Sequence, residues 1–143
     1  MIKKILIMGL PGSGKTTLAK PLAQLLGGVF LNADQIRTEY NDWDFSSEGR
    51  VRQAMRMRYL ADGVVKAGKI AVADFVCPTD RARQEFAADF TVWMDTIEKG
   101  RYEDTNKMFE KPSHYNYHVS KWFTDTHVQL MEVVKAYMEN GNK

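Results

Sequence analysis

Hydrophobic positions fall along this chain in two alternating patterns. Short, nearly continuous apolar runs occur at 3–8, 29–32, 69–76 and 90–95, with a shorter one at 115–119. Runs of that length read as strands buried on both faces. Between them the apolar positions space out at helical intervals. One helix is expected from about Gly14 to Leu26, stopped by Gly27-Gly28, with Pro21 inside it and therefore a kink. Ala33 to Arg37 reads as a short helix start, and Asn41 to Phe45 as a loop. Ser46 or Ser47 caps a long helix to about Lys66, with Ala54, Met55, Ala61, Val64 and Val65 as its expected core contacts and Gly68 at its end. Pro78-Thr79-Asp80 opens another helix to about Ala88, the stretch 97–113 reads as polar and irregular, and Phe123 to Glu139 is amphipathic through Leu130, Met131, Val134 and Met138. Strands alternating with helices imply an α/β fold of three layers, α/β/α, around a five-stranded parallel sheet, expected as one domain over 1–143. Ligands of such sheets sit outside the carboxyl ends of the strands, so chemistry is to be sought at Gly9 onward, Asn32 to Asp34, Asp74 to Cys77 and Asp95 onward.

The first of those strand ends carries the strongest signal in the chain. Gly9-Leu10-Pro11-Gly12-Ser13-Gly14-Lys15-Thr16 fits G-x-x-x-x-G-K-[ST] throughout, after an expected strand and before an expected helix opening at Thr17. Glycines let the backbone wrap a polyphosphate with its N–H groups turned inward, and the helix start adds partial positive charge there. Lys15 is expected to reach the outer phosphates and the Thr16 hydroxyl to ligate Mg²⁺. This makes a P-loop fold the expectation, with ATP and Mg²⁺ as its cofactors.

Composition adds little to that picture. The net charge of +2 gives no electrostatic footprint for nucleic acid or a membrane surface, and no apolar stretch is long enough to span a bilayer. The basic start Met1-Ile2-Lys3-Lys4 has a signal-peptide flavour, but its apolar run is short and flows into the phosphate loop. Cys77 is the only cysteine, so a reducing cytoplasm is the expected setting. The three histidines show no metal-ligand spacing with it. The sequence leaves homodimer formation open.

Other candidates follow from position. Asp34, after the second strand, can accept a proton from an attacking hydroxyl or hold a metal-bound water; the structural alternative is a helix N-cap. Asp74 ends an apolar run as a Walker B carboxylate supporting Mg²⁺ does, and equally as a solvated strand end does. Arg37, Arg50, Arg52, Arg56 and Arg58 cluster around the second loop. Arg37 and Arg50 flank that loop and are the candidates for an anionic substrate, the others fitting a solvated basic face paired with acids. Phe45 and Phe109 lie in polar stretches, where an aromatic stacks on a base or turns into the core. Arg101 and Lys107 are placed to close over the phosphates as part of a lid.

Taken in order, these segments resemble the adenylylsulfate kinase family of small P-loop kinases. The likeness runs through Gly9 to Thr17, Leu31-Asn32-Ala33-Asp34-Gln35-Ile36-Arg37, Trp43-Asp44-Phe45-Ser46 with Arg50, Ala61-Asp62-Gly63, Ala67-Gly68-Lys69-Ile70, and Phe75-Val76-Cys77-Pro78 with Arg81 and Arg83. The resemblance implies transfer of the ATP γ-phosphate to the ribose 3′-hydroxyl of adenosine 5′-phosphosulfate. It implies Asp34 as the catalytic acidic residue, and Arg37 and Arg50 as the holders of the phosphosulfate region. It makes Phe45 one wall of an adenine sandwich and Phe109, beside Lys107, the other. Gln53, Phe75 and Val76 fall within the substrate site, and Arg101 against ATP. Four departures stand out. Asn32-Ala33-Asp34 replaces the family's Asp-Gly-Asp; Cys77 replaces a serine that some members can phosphorylate; Gln53 replaces a common asparagine; and the lid, 98–112, is short.

Other readings of the same motif meet the sequence less well or stay open. A GTPase needs Asn-Lys-x-Asp and Asp-x-x-Gly, and Asn106-Lys107-Met108-Phe109 and Asp74-Phe75-Val76-Cys77 supply neither. A kinase for another small hydroxyl-bearing or nucleotide acceptor stays open, a polynucleotide kinase lacks its basic footprint, and a non-catalytic nucleotide-binding module sits poorly with Lys15, Thr16 and Asp34 all present.

Overall fold

The computed structural model describes residues 2–100 and 102–141. The apolar runs form a parallel sheet in the order β2-β3-β1-β4-β5. Its strands are β1 (Lys4–Gly9), β2 (Val29–Asn32), β3 (Ala71–Phe75), β4 (Phe90–Met94) and β5 (Tyr117–Val119). Helices α1 (Lys15–Leu26), α2 (Ala33–Tyr40), α3 (Ser47–Lys66), α4 (Asp80–Phe86), α5 (Glu103–Met108) and α6 (Thr126–Gly141) make the connections.

Period-two alternation divides the central strand between two cores. Ile5 and Ile7 face one side, against Leu18 and Leu22 of α1 and Leu130 and Val134 of α6. Leu6 and Met8 face the other, against Ile36 of α2, Met57 and Ala61 of α3, and Phe86 of α4. The result is the three-layer α/β/α arrangement expected. Strands β2 and β3 lie on one side of β1 and β4 and β5 on the other, so the chain switches direction about β1 and a crevice opens at its carboxyl end, where the phosphate loop begins.

Local details depart from expectation where the signal was weakest. The helix after β2 continues to Tyr40, where Asn41 at φ 50° ends it, and its start is capped by the Asn32 side chain, which accepts from the Gln35 N–H at 2.9 Å. Ser46 is the cap of α3, accepting from the Gly49 N–H at 3.1 Å. Met55 is 55% exposed and is not a core contact of α3, and Val65 joins neither core. The stretch expected to be irregular contains α5, a single short turn of helix too brief to show periodicity. Helix α1 runs through Pro21 and ends at Gly27 in the left-handed conformation, φ 63°. Strands β3 and β5 are shorter than the apolar runs that announced them.

Candidate active site

At the end of β1 the chain turns through residues 9–14. Gly14, at φ 97°, is the residue from which α1 starts, a conformation that side chains other than glycine's resist. The Ser13 N–H donates to the Leu10 carbonyl at 3.1 Å, tightening the loop. The Thr96 hydroxyl, beyond β4, donates to the Ser13 carbonyl at 2.7 Å and pins the loop from the neighbouring strand. Lys15 lies over the same turn, its Nζ 3.0 Å from the Leu10 carbonyl.

Sheet register sets the next layer. Asn32 at the end of β2 and Asp74 on β3 are paired positions. The Asn32 amide therefore reaches Asp74 Oδ1 at 2.9 Å, and the Thr16 hydroxyl donates to Asp74 Oδ2 at 2.7 Å. Asp74 is 2% exposed, so it is not a solvated strand end. Burial raises its pKa; the Thr16 hydrogen bond and the Lys15 charge oppose that, and the neighbouring Asp34 carboxylate reinforces it. The residue capping α2 is Asn32, which leaves Asp34 in the first turn, exposed and on the wall of the crevice.

Loop 41–46 and α3 build the far wall. Arg37 is 2% exposed and donates to the Asp42 and Asp44 carbonyls at 2.9 and 3.2 Å, holding that loop against α2. Two guanidiniums approach the Phe45 ring, Arg37 at 4.5 Å and Arg50 at 4.8 Å from its centroid, within cation–π range. Arg50 reaches Thr105 of α5 through Nη2 at 2.7 Å, while its buried Nε has no hydrogen-bond partner among the described residues. Burial lowers the Arg50 pKa to about 10; Arg37 pushes the same way and Asp34 the opposite way. Arg52 and Arg56 are instead paired with Asp42, at 2.9 and 2.8 Å, and Arg58 with Asp62 at 3.6 Å, which is the basic-face arrangement.

These elements enclose one cavity of about 910 Å³. The phosphate loop residues Pro11, Gly12, Gly14, Lys15, Thr16 and Thr17 line one end; Asp34 and Asp74 the middle; and Arg37, Phe45, Arg50, Gln53, Phe75 and Val76 the other end. Gly9, Leu10 and Ser13 lie behind the loop as its buried backing. Gln53 is 2% exposed, and its amide donates to the Ala33 carbonyl at 3.1 Å, so it supports the wall beneath Asp34. Two expected residues are not in the walls. Phe109 packs against the core beside α4 with the Arg83 guanidinium 5.2 Å from its ring, and Lys107 is exposed on the outer side of α5. An adenine sandwich closed by Phe109 is therefore not assembled in this arrangement, because the short turn of α5 carries that ring inward. Arg101 lies outside the described residues. Trp43, Asn32, Tyr102, Asp104 and Thr105 line the cavity without having been singled out as site residues. Trp43 was legible beside Phe45, whereas Thr105 depends on a helix too short to announce itself.

Cys77 is buried in the wall at φ 46°, and desolvation drives its thiol pKa far up, so it is neither thiolate nor a hydroxyl able to take a phosphate. A resident divalent cation suits what remains. Among the described residues no group of three or more His, Cys, Asp or Glu could hold a metal. Mg²⁺ asks for less: one or two carboxylates, a hydroxyl, and the rest water and phosphate oxygens. Thr16 and Asp74 offer that donor set 2.7 Å apart, at the base of the phosphate loop.

A glycine loop at the switch point of a parallel sheet, feeding a helix whose first residues are Lys15 and Thr16, defines the class as a P-loop kinase fold. Within that class the chain belongs to the adenylylsulphate kinase family, whose model matches residues 2–114. A probable adenylyl-sulfate kinase of Aeropyrum pernix is 37% identical over 83 residues, 54% of this chain and 45% of that protein. A bifunctional enzyme CysN/CysC of Rhodopirellula baltica is 31% identical over 87 residues, 57% of this chain and 13% of that protein. The matched stretch thus spans less than half of either curated relative. The APS kinase CysC of Mycobacterium tuberculosis, solved with AMPPNP and APS, superimposes with a TM-score of 0.75 at 19% identity, covering 93% of this chain and 95% of that one. Among the described residues no helix is long and apolar enough to cross a membrane.

Proposed function

We propose that this chain transfers the γ-phosphate of ATP to the 3′-hydroxyl of adenosine 5′-phosphosulfate, giving 3′-phosphoadenosine 5′-phosphosulfate and ADP. One observation carries the reading: Arg37, Phe45 and Arg50, gathered around one ring, line the same cavity as the phosphate loop, and Asp34 lines it with them. An aromatic face suits a nucleobase. Among the described residues Arg37 meets a carboxylate only at the edge of ion-pair range and Arg50 meets none, which suits an acceptor that carries phosphate and sulfate charge. Arg37 meets Asp42 only at 3.9 Å, and Arg50 binds a hydroxyl, so both retain positive potential toward the cavity. The AMPPNP and APS found together in the Mycobacterium tuberculosis relative support the same pairing of donor and acceptor.

In this reading the loop amides and Lys15 hold the β- and γ-phosphates of ATP. Asp34 accepts the proton of the 3′-hydroxyl as that oxygen attacks phosphorus and the bond to the ADP oxygen breaks. Thr16 and Asp74, with Asp34 nearby, would hold Mg²⁺, which supplies charge neutralisation across the phosphates. Asn32 cannot act as a second acid beside Asp74; it fixes that carboxylate through an amide hydrogen bond. The setting we assign is a reducing cytoplasm.

The test is a coupled ADP-release screen of adenosine 5′-phosphosulfate against other nucleotides and sugars. Turnover with adenosine 5′-phosphosulfate at a kcat/KM well above every other acceptor is expected. A sugar or a plain nucleoside monophosphate preferred over it would replace this reading with a kinase for that acceptor.

A further inference from the structure

One side chain outside the cavity has an arrangement the site description leaves unexplained. The Arg83 side chain, on α4, is 11% exposed, and three of its four hydrogen bonds go to main-chain carbonyls. Nε donates to the Cys77 carbonyl at 3.0 Å, and Nη2 donates to those of Pro78 at 3.2 Å and Glu110 at 2.6 Å. Only Nη1 meets a carboxylate, Asp80 at 3.0 Å. The Phe109 ring lies against the guanidinium at 5.2 Å. The same two chain segments are tied again by the Glu110 N–H to the Pro78 carbonyl at 2.7 Å and the Asp80 N–H to Glu110 Oε2 at 3.1 Å.

Those segments lead into two parts of the cavity wall that meet here. Cys77 and Pro78 line the cavity at the end of β3, and Tyr102, Asp104 and Thr105 line it from α5, whose chain leaves through Phe109 and Glu110. We propose that Arg83 is a positioning residue for the acceptor: its guanidinium fastens the β3 wall to the exit of α5 and so holds the two sides of the acceptor end at fixed separation. The path at Cys77 needs such a restraint, because its φ of 46° is one a cysteine seldom keeps unaided. Arginine is suited to the task. Its planar fork reaches several carbonyls at set angles, while a lysine ammonium is a single point on a flexible stem. The phosphate loop is fixed separately, by Thr96 and by its own turn, so the donor end does not depend on this fastening.

The inference rests on reading this cavity end as the acceptor's, and the experiment separates the two. Arg83→Lys and Arg83→Ala are compared with wild type by steady-state kinetics, varying ATP and adenosine 5′-phosphosulfate in turn. Hydrogen exchange of the free proteins is followed in parallel. KM for adenosine 5′-phosphosulfate should rise about tenfold in both variants, the equivalent of losing about 1.4 kcal/mol of binding, with KM for ATP within about twofold of wild type. Asp80→Asn, which removes only the carboxylate partner, should stay within about twofold throughout. Exchange should accelerate across 78–82 and 103–110 and stay unchanged across 9–18. Equal changes in both KM values, or a fall in active fraction alone, would reduce Arg83 to a structural residue and end the proposal. If wild type does not phosphorylate adenosine 5′-phosphosulfate, the functional reading fails. The exchange pattern then decides the fastening, and unaltered exchange at 103–110 overturns it.

Discussion

Asp74 has two roles that pull against each other. It is buried beneath the phosphate loop, and its raised pKa means that the folded chain holds its proton more tightly than the unfolded chain does. Its contribution to stability is therefore present at low pH and lost as pH rises through the folded-state pKa. Asp74→Asn removes a buried charge while keeping an oxygen to accept from Thr16 or Asn32. Its melting temperature should equal or exceed wild type at pH values where Asp74 is ionised, and the difference should shrink as pH falls. Activity should move the other way, with kcat down at least about tenfold, since charge stabilisation at the transferring phosphate is weakened. Thermal melts over a pH series beside turnover measurements check both halves. Asp34, exposed in the middle of the cavity, answers a different question. Asp34→Asn should lower kcat about a hundredfold if its carboxylate takes the hydroxyl proton, and an unchanged kcat removes it from that role. At this scale it was legible in the sequence that the phosphate loop, Asp34, Asp74, Arg37, Phe45 and Arg50 gather at one cavity, because motif and strand ends mark them. That Phe109 and Lys107 turn away from it was not, since a side chain's direction in or just after a six-residue helix leaves no periodic trace.

Elements, rather than residues, shape the acceptor end. The loop 41–46 is folded back on α3 through Asp42 and Asp44, which accept from Arg52 and Arg56 and from the Ser46 N–H. Gly49 in the first turn of α3 allows this. A Cβ there would stand 2.6 Å from Asp44 Cγ and against the Asp44 carbonyl, backbone that cannot step aside. Gly49→Ala should therefore displace the loop carrying Phe45, at a cost of about 1–3 kcal/mol in stability by denaturant unfolding. The parallel sheet and its layers could be read from alternating apolar runs and helical spacing, whereas the nearness of Asp44 to Gly49 could not, because it is a tertiary approach. Phe45 itself gives a cleaner test. Phe45→Ala keeps both arginines and removes the ring, so KM for the acceptor should rise about tenfold, in line with the cost of losing a base-stacking aromatic. Phe45 is 46% exposed, so the fold should persist, and circular dichroism with a melt separates binding loss from unfolding.

For the whole molecule, donor binding and folding are linked through one loop. Residues 9–16 join β1 to α1, and those elements contribute to both halves of the core: Ile5 and Ile7 with Leu18 on one face, Leu6 and Met8 on the other. A polyphosphate held by the loop amides and Lys15 therefore stabilises the chain where its layers meet, and only in the folded state. Binding the native state alone adds RT ln(1 + [ligand]/Kd), about 2.7 kcal/mol at a hundredfold excess over Kd. For a chain of this size that corresponds to a rise of about 5–10 °C in melting temperature. Wild type should show that rise with ATP and Mg²⁺. Lys15→Ala should melt close to wild type without nucleotide, since Lys15 is only partly buried. It should lose turnover and most of the nucleotide-dependent shift. A variant that kept the full shift but lost turnover would assign Lys15 to the transferring phosphate alone. A variant already unstable without nucleotide would make it part of the loop's own architecture.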